Sequence, residues 1–284
     1  MEMCVHGQWF GWVTPLKPTT FERKVSPSVP PTPQPPRTGV VALGNRSTHT
    51  CAAMAPPQSA STPWFSPNQL YFGLDVECVA TGTTHDARAV AQIGLVDAWE
   101  RPLLNLVVKP DQPVVSHLSP LTGLSAEILE QYGMHFTQAM QMLRQCLPKE
   151  AVLVGQSIHT DVKWLGLQEG VDFQGMIDLS GIWRVWNTKY NSWSVFSQDH
   201  CLAALLGIKV GDAHDALGDA LKSIRLFNFY RQLQDQPHEI EKAKESLLKF
   251  EPEPSFAKKH PVFDGVCMGN RKTCTCGAPF LTFG

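Results

Sequence analysis

One run constrains the chain more than any other: Tyr71-Phe72-Gly73-Leu74-Asp75-Val76-Glu77-Cys78-Val79. Its apolar density predicts a buried strand, yet it carries two acids. Residues two apart on a strand point to the same face, about 6.5 Å from each other. Asp75 and Glu77 therefore project together, and Phe72, Leu74, Val76 and Cys78 fill the opposite face. Two carboxylates side by side on a core strand repel each other and lose hydration. They are tolerated where a cation neutralises them or a proton is shared. An isolated Asp-x-Glu also fits a solvent-exposed strand face, so the rest of the chain must decide.

The 284 residues suffice for one sizeable domain with extensions, or for two small domains. Apolar content of 43% is that of a globular protein. A formal net charge of -2 gives no global attraction to a polyanion. A nucleic-acid site would need a local basic patch or bound metal ions. The 8 cysteines are scattered, no secretory signal is evident, and no run approaches the ~18 apolar residues of a membrane span. An intracellular, reducing setting with no membrane association is expected, with nucleus or cytoplasm favoured.

Residues 1–68 hold more than half of the prolines, centred on Pro30-Pro31-x-Pro33-x-Pro35-Pro36, with Ser and Thr filling much of the rest. Such a stretch cannot bury enough surface to offset its ordering entropy, so disorder is expected. Its few acids and its Ser and Arg content also suit an organelle transit peptide, although no basic amphipathic helix is visible.

Residues 69–232 read as the central domain. Strands are expected at Tyr71–Val79, Ala89–Val96 and Leu103–Val108, joined as hairpins. Ser125 is placed to cap a helix, and a second helix runs from about Thr137 to Cys146, where Pro148 stops it. Further strands are expected at Ala151–Val154 and Met176–Leu179. Helices follow at about Gln198–Leu206, ended by Gly207, and at Ala216–Arg231. Strands first, then alternating helices and strands, imply an α/β fold with helices packed on a mixed sheet.

Two later segments repeat the carboxylate theme. Asp161 follows the Ala151–Val154 strand at the start of a helical turn, and Asp219 lies in the first turns of the last helix. Asp75, Glu77, Asp161 and Asp219 can converge into an oxygen-rich pocket for hard divalent ions, Mg²⁺ or Mn²⁺. Two such ions would stabilise the attacking and leaving oxygens of phosphodiester hydrolysis. His214 precedes the helix, with Asp215 as its natural N-cap. Five residues of helix turn about 140° from eclipsed, so His214 need not share the face of Asp219. On a loop it could swing over a bound substrate and act as general base.

Asp75-x-Glu77, Asp161 in a Gly-x5-Asp segment, and His214-x4-Asp219 together resemble the exonucleases named for four acids plus a histidine, the DEDDh type. The resemblance covers about 160 residues. It implies a ribonuclease-H-like five-stranded mixed sheet and two-metal 3′-to-5′ hydrolysis of nucleic acid. A tyrosine subclass has Tyr four residues before the last acid; that position here is Asp215. The segments Gly73–Val79, Val154–Leu165 and Leu205–Ile208 look like the Rex branch of RNA exonucleases. Gln156, Thr160, Ile177-Asp178-Leu179 and His214-Asp215-Ala216 depart from that branch.

The expected partner is single-stranded nucleic acid, with RNA favoured; protein partners are not indicated. Substrate contacts are expected from Cys78, Val79, Leu124, Gln156 and Ser157, where Leu124 either wedges against a terminal base or packs at a helix start. Trp183, Trp186, Tyr190 and Trp193 form an aromatic cluster that either stacks bases or serves as lid and core. His159 and His200 read as structural. A DNA exonuclease of the proofreading or repair type, and a catalytically silent nucleic-acid-binding module, are the competing readings.

Residues 233–284 read as an irregular tail with a charged helix near Ile240–Lys249 and a Cys-rich end. His260, Cys267, Cys274 and Cys276 could hold one Zn²⁺, although C-x6-C-x-C is not a common knuckle spacing. Otherwise the tail is reduced and basic, with Lys258, Lys259, Arg271 and Lys272 able to touch phosphates.

Overall fold

The computed structural model describes residues 65–209 and 214–279, and the backbone of two short strands, Met3–Val5 and Gln8–Phe10. Those two strands pair antiparallel within a separate unit, Met1–Ala53. Of the extension expected to be disordered, 1–68, residues 65–68 are also described, with Phe65 packed against Phe227, and the rest lies outside the described residues.

In the second unit, β1 (Leu70–Ala80), β2 (Arg88–Asp97) and β3 (Pro102–Val107) form an antiparallel meander. β4 (Ala151–Gly155) and β5 (Gly175–Asp178) add in parallel on the other side of β1, so the sheet order is β3-β2-β1-β4-β5. The reversal at β1 opens the sheet where the parallel strands end, the usual place for a site in such sheets. Asp75 and Glu77 lie on β1 just beyond its pairing with β4, which runs from Leu70 to Gly73.

β1 is covered on both faces, which is why it reads as a nearly continuous apolar run. On one face Phe72, Leu74, Val76 and Cys78 join a core with Met140 and Leu143 of α2 (Phe136–Cys146). Ile158, Val162 and Leu165, in and before α3 (His159–Leu165), complete it. On the other face Tyr71 packs with Ala220, Ile224, Phe227 and Tyr230 of α5 (Ala216–Leu233). The expected caps form: Ser125 accepts from Ile128 N–H at the start of α1 (Ala126–Tyr132), and Asp215 accepts from Gly218 N–H at the start of α5. α4 (Gln198–Cys201) continues into one π-helical turn, Leu202–Leu206, and stops at Gly207 in the left-handed region, φ 66°.

The tail is more ordered than expected. α6 (Pro237–Lys249) buries Ile240 and Leu247, one apolar stripe at a spacing of two turns, into the α5 core. A two-residue pair, Val262–Phe263 with Val266–Cys267, then folds back so that Val266 packs on Ala80 and Leu118. No helix among the described residues is long and apolar enough to cross a membrane.

Candidate active site

Two glycines let α5 reach the sheet. A Cβ at Gly73 would lie 2.4 Å from the Ala220 carbonyl oxygen, and one at Gly94, the cross-strand partner of Asp75, only 2.2 Å from that of Ala216. Only hydrogens fit there, so the first turns of α5 lie directly on β1 and β2. Gln92, opposite Glu77, accepts from Ala216 N–H at 3.2 Å and fixes the start of the helix. Gln198 on α4 donates to the Asp219 carbonyl at 3.0 Å and to Ser223 Oγ at 2.8 Å. Asp219 is thereby held 8% exposed beside the acid-bearing strand.

α3 brings the third acid from the opposite side. Gly155 ends β4, and Ser157 takes a left-handed turn, φ 57°, with its N–H donated to Asp178 Oδ1 at 2.9 Å. Asp161, 6% exposed, accepts hydrogen bonds from its own N–H and from Val76 N–H. Val76 stands between Asp75 and Glu77, so this contact brings Asp161 beside the pair.

His214 shares the Asp219 site. Its Nδ1 is 2.8 Å from Asp219 Oδ2 and its Nε2 3.5 Å from Asp199 Oδ2, while its backbone N–H donates to the Leu121 carbonyl at 2.8 Å. Helical spacing alone did not require His214 to share the face of Asp219, yet the two side chains meet. It lies before the helix start, where extended backbone at Asp215 returns it over the first turn. One ligand atom from each of Glu77, His214 and Asp219 fits within 4.8 Å of the others.

The electrostatics are those of too much negative charge for the space. Burial, then the charges of Asp161, Asp219 and Glu77, push the Asp75 carboxyl well above the usual range. Burial and then Asp219 push Glu77 up to about 8. Burial also lifts Asp161 to about 8, against the pull of its two backbone hydrogen bonds. Asp219 differs: burial would raise it, but hydrogen bonds from His214 and Lys222 hold it below the ordinary value. The hydrogen bond to Asp219 raises His214 in return, against its burial. The donor set on β1 and α3 is all carboxylate oxygen, with Asp161 buried, Asp75 and Glu77 half-buried, and one lysine reaching in. Hard divalent cations are the ligands that fit it.

Lys222 and Asp199 were missed in the sequence. Lys222 Nζ lies 2.6 Å from Asp219 Oδ1 and 3.2 Å from Asp199 Oδ1. The i,i+3 spacing from Asp219 was a readable signal for Lys222; nothing local marks Asp199.

Other expected contacts are repositioned. Leu124 is 3% exposed and packs with Val79, Ala91 and Leu129, so it is a helix-start core residue and has no face left for a base. Cys78 and Val79 are buried as well, because β1 is covered on both sides. Gln156 Nε2 donates to the Phe196 carbonyl at 2.9 Å, while its buried Oε1 lacks a hydrogen-bond partner. Trp183 belongs to the core, 1% exposed; Trp186 and Trp193 pair edge-to-face on a hairpin, Val185–Asn187 with Ser192–Ser194, and Tyr190 is exposed at its turn. His200 is structural: it stacks on Phe196, and its Nε2 lies 2.9 Å from the Leu247 carbonyl.

Of the C-terminal set, Cys267, Cys274 and Cys276 converge but His260 does not. It is exposed and packs against Phe256 and Phe263; His85 takes its place beside the three sulfurs.

No protein-family model matches the chain. Small RNA degrading nuclease 3 of Arabidopsis thaliana is 27% identical over 156 residues, 54% of this chain and 19% of its own length. RNA exonuclease 5 of Bos taurus is 27% identical over 168 residues, 57% of this chain and 20% of its own. These two relatives are named as a nuclease that degrades small RNA and as an RNA exonuclease. The chain spans about a fifth of the length of these relatives. The Neurospora crassa Pan2 catalytic unit, protease and nuclease domain, superposes with a TM-score of 0.54 at 16% identity, over 68% of this chain and 32% of that one. The Saccharomyces cerevisiae Pan2 pseudoubiquitin hydrolase-RNA exonuclease module, solved with AACCAA RNA, gives 0.55 at 15% identity, over 65% and 33%. At that identity the likeness is one of fold, and it agrees with the ribonuclease-H-like sheet expected from the sequence.

Proposed function

We propose that the chain is a divalent-metal-dependent 3′-to-5′ exonuclease acting on single-stranded RNA. The observation that carries the reading is the meeting of Asp75, Glu77, Asp161 and Asp219, from one strand and two helices, with His214 attached to the last of them. Asp75, Glu77, Asp161 and Asp219 would hold Mg²⁺ or Mn²⁺. Two such ions supply charge stabilisation for the attacking and leaving oxygens of a phosphodiester.

The chain's own groups do the rest. Burial and mutual repulsion keep the acids poised to release protons for a cation. Lys222 neutralises Asp219 from the helix side. His214 is the general base: once its Nδ1 is released from Asp219, or through Nε2 where Asp199 faces it, it takes a proton from the attacking water. Both Asp219 oxygens are engaged, Oδ1 by Lys222 and Oδ2 by His214, so a cation held there would compete with these partners for the carboxylate.

RNA is preferred over DNA in this reading because the relatives are named for RNA. Only the 2′-hydroxyl, or the pucker it favours, separates the two at a given site. The test is a 5′-labelled single strand of RNA, matched DNA, and RNA ending in a 3′-phosphate, each with Mg²⁺, with Mn²⁺ and in metal-free buffer. The reading expects a ladder shortening from the 3′ end on RNA at least about tenfold faster than on DNA, blocked by the phosphate. Faster loss of DNA would make it a DNA exonuclease, and no cleavage with either metal would leave a binding module.

A further inference from the structure

Outside the acid cluster, one group of side chains among the described residues is arranged as a ligand set. His85, in the turn between β1 and β2, meets Cys267, Cys274 and Cys276 from the far end of the chain. One ligand atom from each fits within 4.8 Å of all the others. His85 Nδ1 is 3.2 Å from Cys276 Sγ and 3.5 Å from Cys274 Sγ; Cys274 Sγ is 3.4 Å from both Cys267 Sγ and Cys276 Sγ. A tetrahedral ion with Zn–S distances of about 2.3 Å holds its sulfurs about 3.8 Å apart, so a small expansion of this cluster accommodates one. The three cysteines are free thiols.

The surroundings are those of a metal-thiolate site. His85 Nε2 lies 3.3 Å from the Pro279 carbonyl, which would accept its N–H and leave Nδ1 as the ligand atom. Gly269 N–H points at Cys267 Sγ at 3.5 Å, and the backbone N–H groups of His85 and Ala278 donate to Cys276. Such donors spread thiolate charge. The Arg88 guanidinium, bonded to the Cys267 carbonyl at 3.0 Å, adds a cation beside the cluster.

We propose that His85, Cys267, Cys274 and Cys276 bind one structural Zn²⁺ that clasps the C-terminal segment to the β1–β2 turn. Three sulfurs and one imidazole select zinc over the hard cations suited to the acid cluster. The clasp lies along a continuous path to the active-site side of the domain. Cys267 N–H donates to the Thr83 carbonyl, Ser116 Oγ to Asp264 Oδ2, and Val266 packs on Leu118, beside Leu121 whose carbonyl receives His214 N–H. The zinc therefore braces the segment on which His214 is seated.

The test is metal analysis of the full chain purified under reducing conditions without chelator, with Co²⁺ titration of the zinc-stripped protein. The expected result is about one Zn per chain and the visible absorption of tetrahedral thiolate Co²⁺. Zinc should fall below about a tenth of that in Cys274→Ser and in His85→Ala, and stay unchanged in His260→Ala. The Co²⁺ titration of the unsubstituted chain keeps the test decisive if a variant fails to fold. Absence of both zinc and the thiolate–cobalt band overturns the proposal, and so does zinc retained in His85→Ala but lost in His260→Ala. Either result is independent of nuclease activity.

Discussion

Asp219 and Lys222, one helical turn apart, form an ion pair at 2.6 Å inside a cluster of acids. The lysine side chain is 15% exposed and the carboxylate 11%, so the charge of each rests on the other. Lys222→Met should lower the stability of the metal-free protein by about 1–2 kcal/mol, after allowance for partial exposure. It should also enlarge the thermal shift produced by Mn²⁺, because a competitor for Asp219 is gone. Melting curves with and without Mn²⁺ check this, and an unchanged shift would remove Lys222 from the cation's site.

The acids also set a pH dependence. Glu77 and Asp161 titrate near 8 in the folded protein, and near 4 in an unfolded chain. Between those values the folded state binds more protons, so stability falls as pH rises from about 4 to about 8. His214, raised by Asp219, works in the same direction: its contribution is full below its ordinary value and lost as pH rises through the folded one. Asp219, held low, contributes stability that disappears only in strong acid. Urea titrations in metal-free buffer should show the loss between pH 5 and 8, and Glu77→Gln with Asp161→Asn together should flatten it.

Gly94→Ala tests whether helix and sheet must touch for the site to exist. The added Cβ would meet the Ala216 carbonyl oxygen at 2.2 Å and its carbon at 2.3 Å, and backbone atoms cannot step aside as a side chain can. A cost of about 2–4 kcal/mol is expected, with activity lost even below the melting temperature as Asp219 is lifted from β1. Full activity in a folded Gly94→Ala protein would mean that Asp219 need not lie at this distance.

His214→Ala should reduce the rate by roughly 10²–10⁴-fold, the range for general acid–base catalysis. Activity of the unsubstituted protein should rise with pH through the raised value of His214, since only the neutral ring accepts a proton. A pH–rate profile on single-stranded RNA checks both; a variant that keeps the profile would assign the base elsewhere.

What the sequence disclosed follows from the range of the forces involved. The shared face of Asp75 and Glu77 follows from a strand period of two, and the caps at Ser125 and Asp215 from local hydrogen bonding. Close approach at Gly73 and Gly94 could not be read, because a glycine in a strand looks the same with or without a helix above it. Leu124 was ambiguous until its burial was known. His85 was invisible as a partner of Cys276, since 191 residues separate them and no local pattern marks a turn histidine as a ligand. His260 was nearer in sequence, but its ring packs against Phe256 and Phe263 instead.

The most direct measurement of the central claim is Mn²⁺ binding and RNA hydrolysis by Asp75→Asn beside the unsubstituted protein. The substitution keeps the shape of the side chain and removes a charge that the burial of Asp75 and three neighbouring acids already oppose. The account predicts weakened Mn²⁺ binding by calorimetry, hydrolysis of 3′-hydroxyl single-stranded RNA reduced by orders of magnitude, and a melting temperature held or raised because repulsion is relieved. An Asp75→Asn protein that binds Mn²⁺ as before and degrades RNA at the original rate would contradict it.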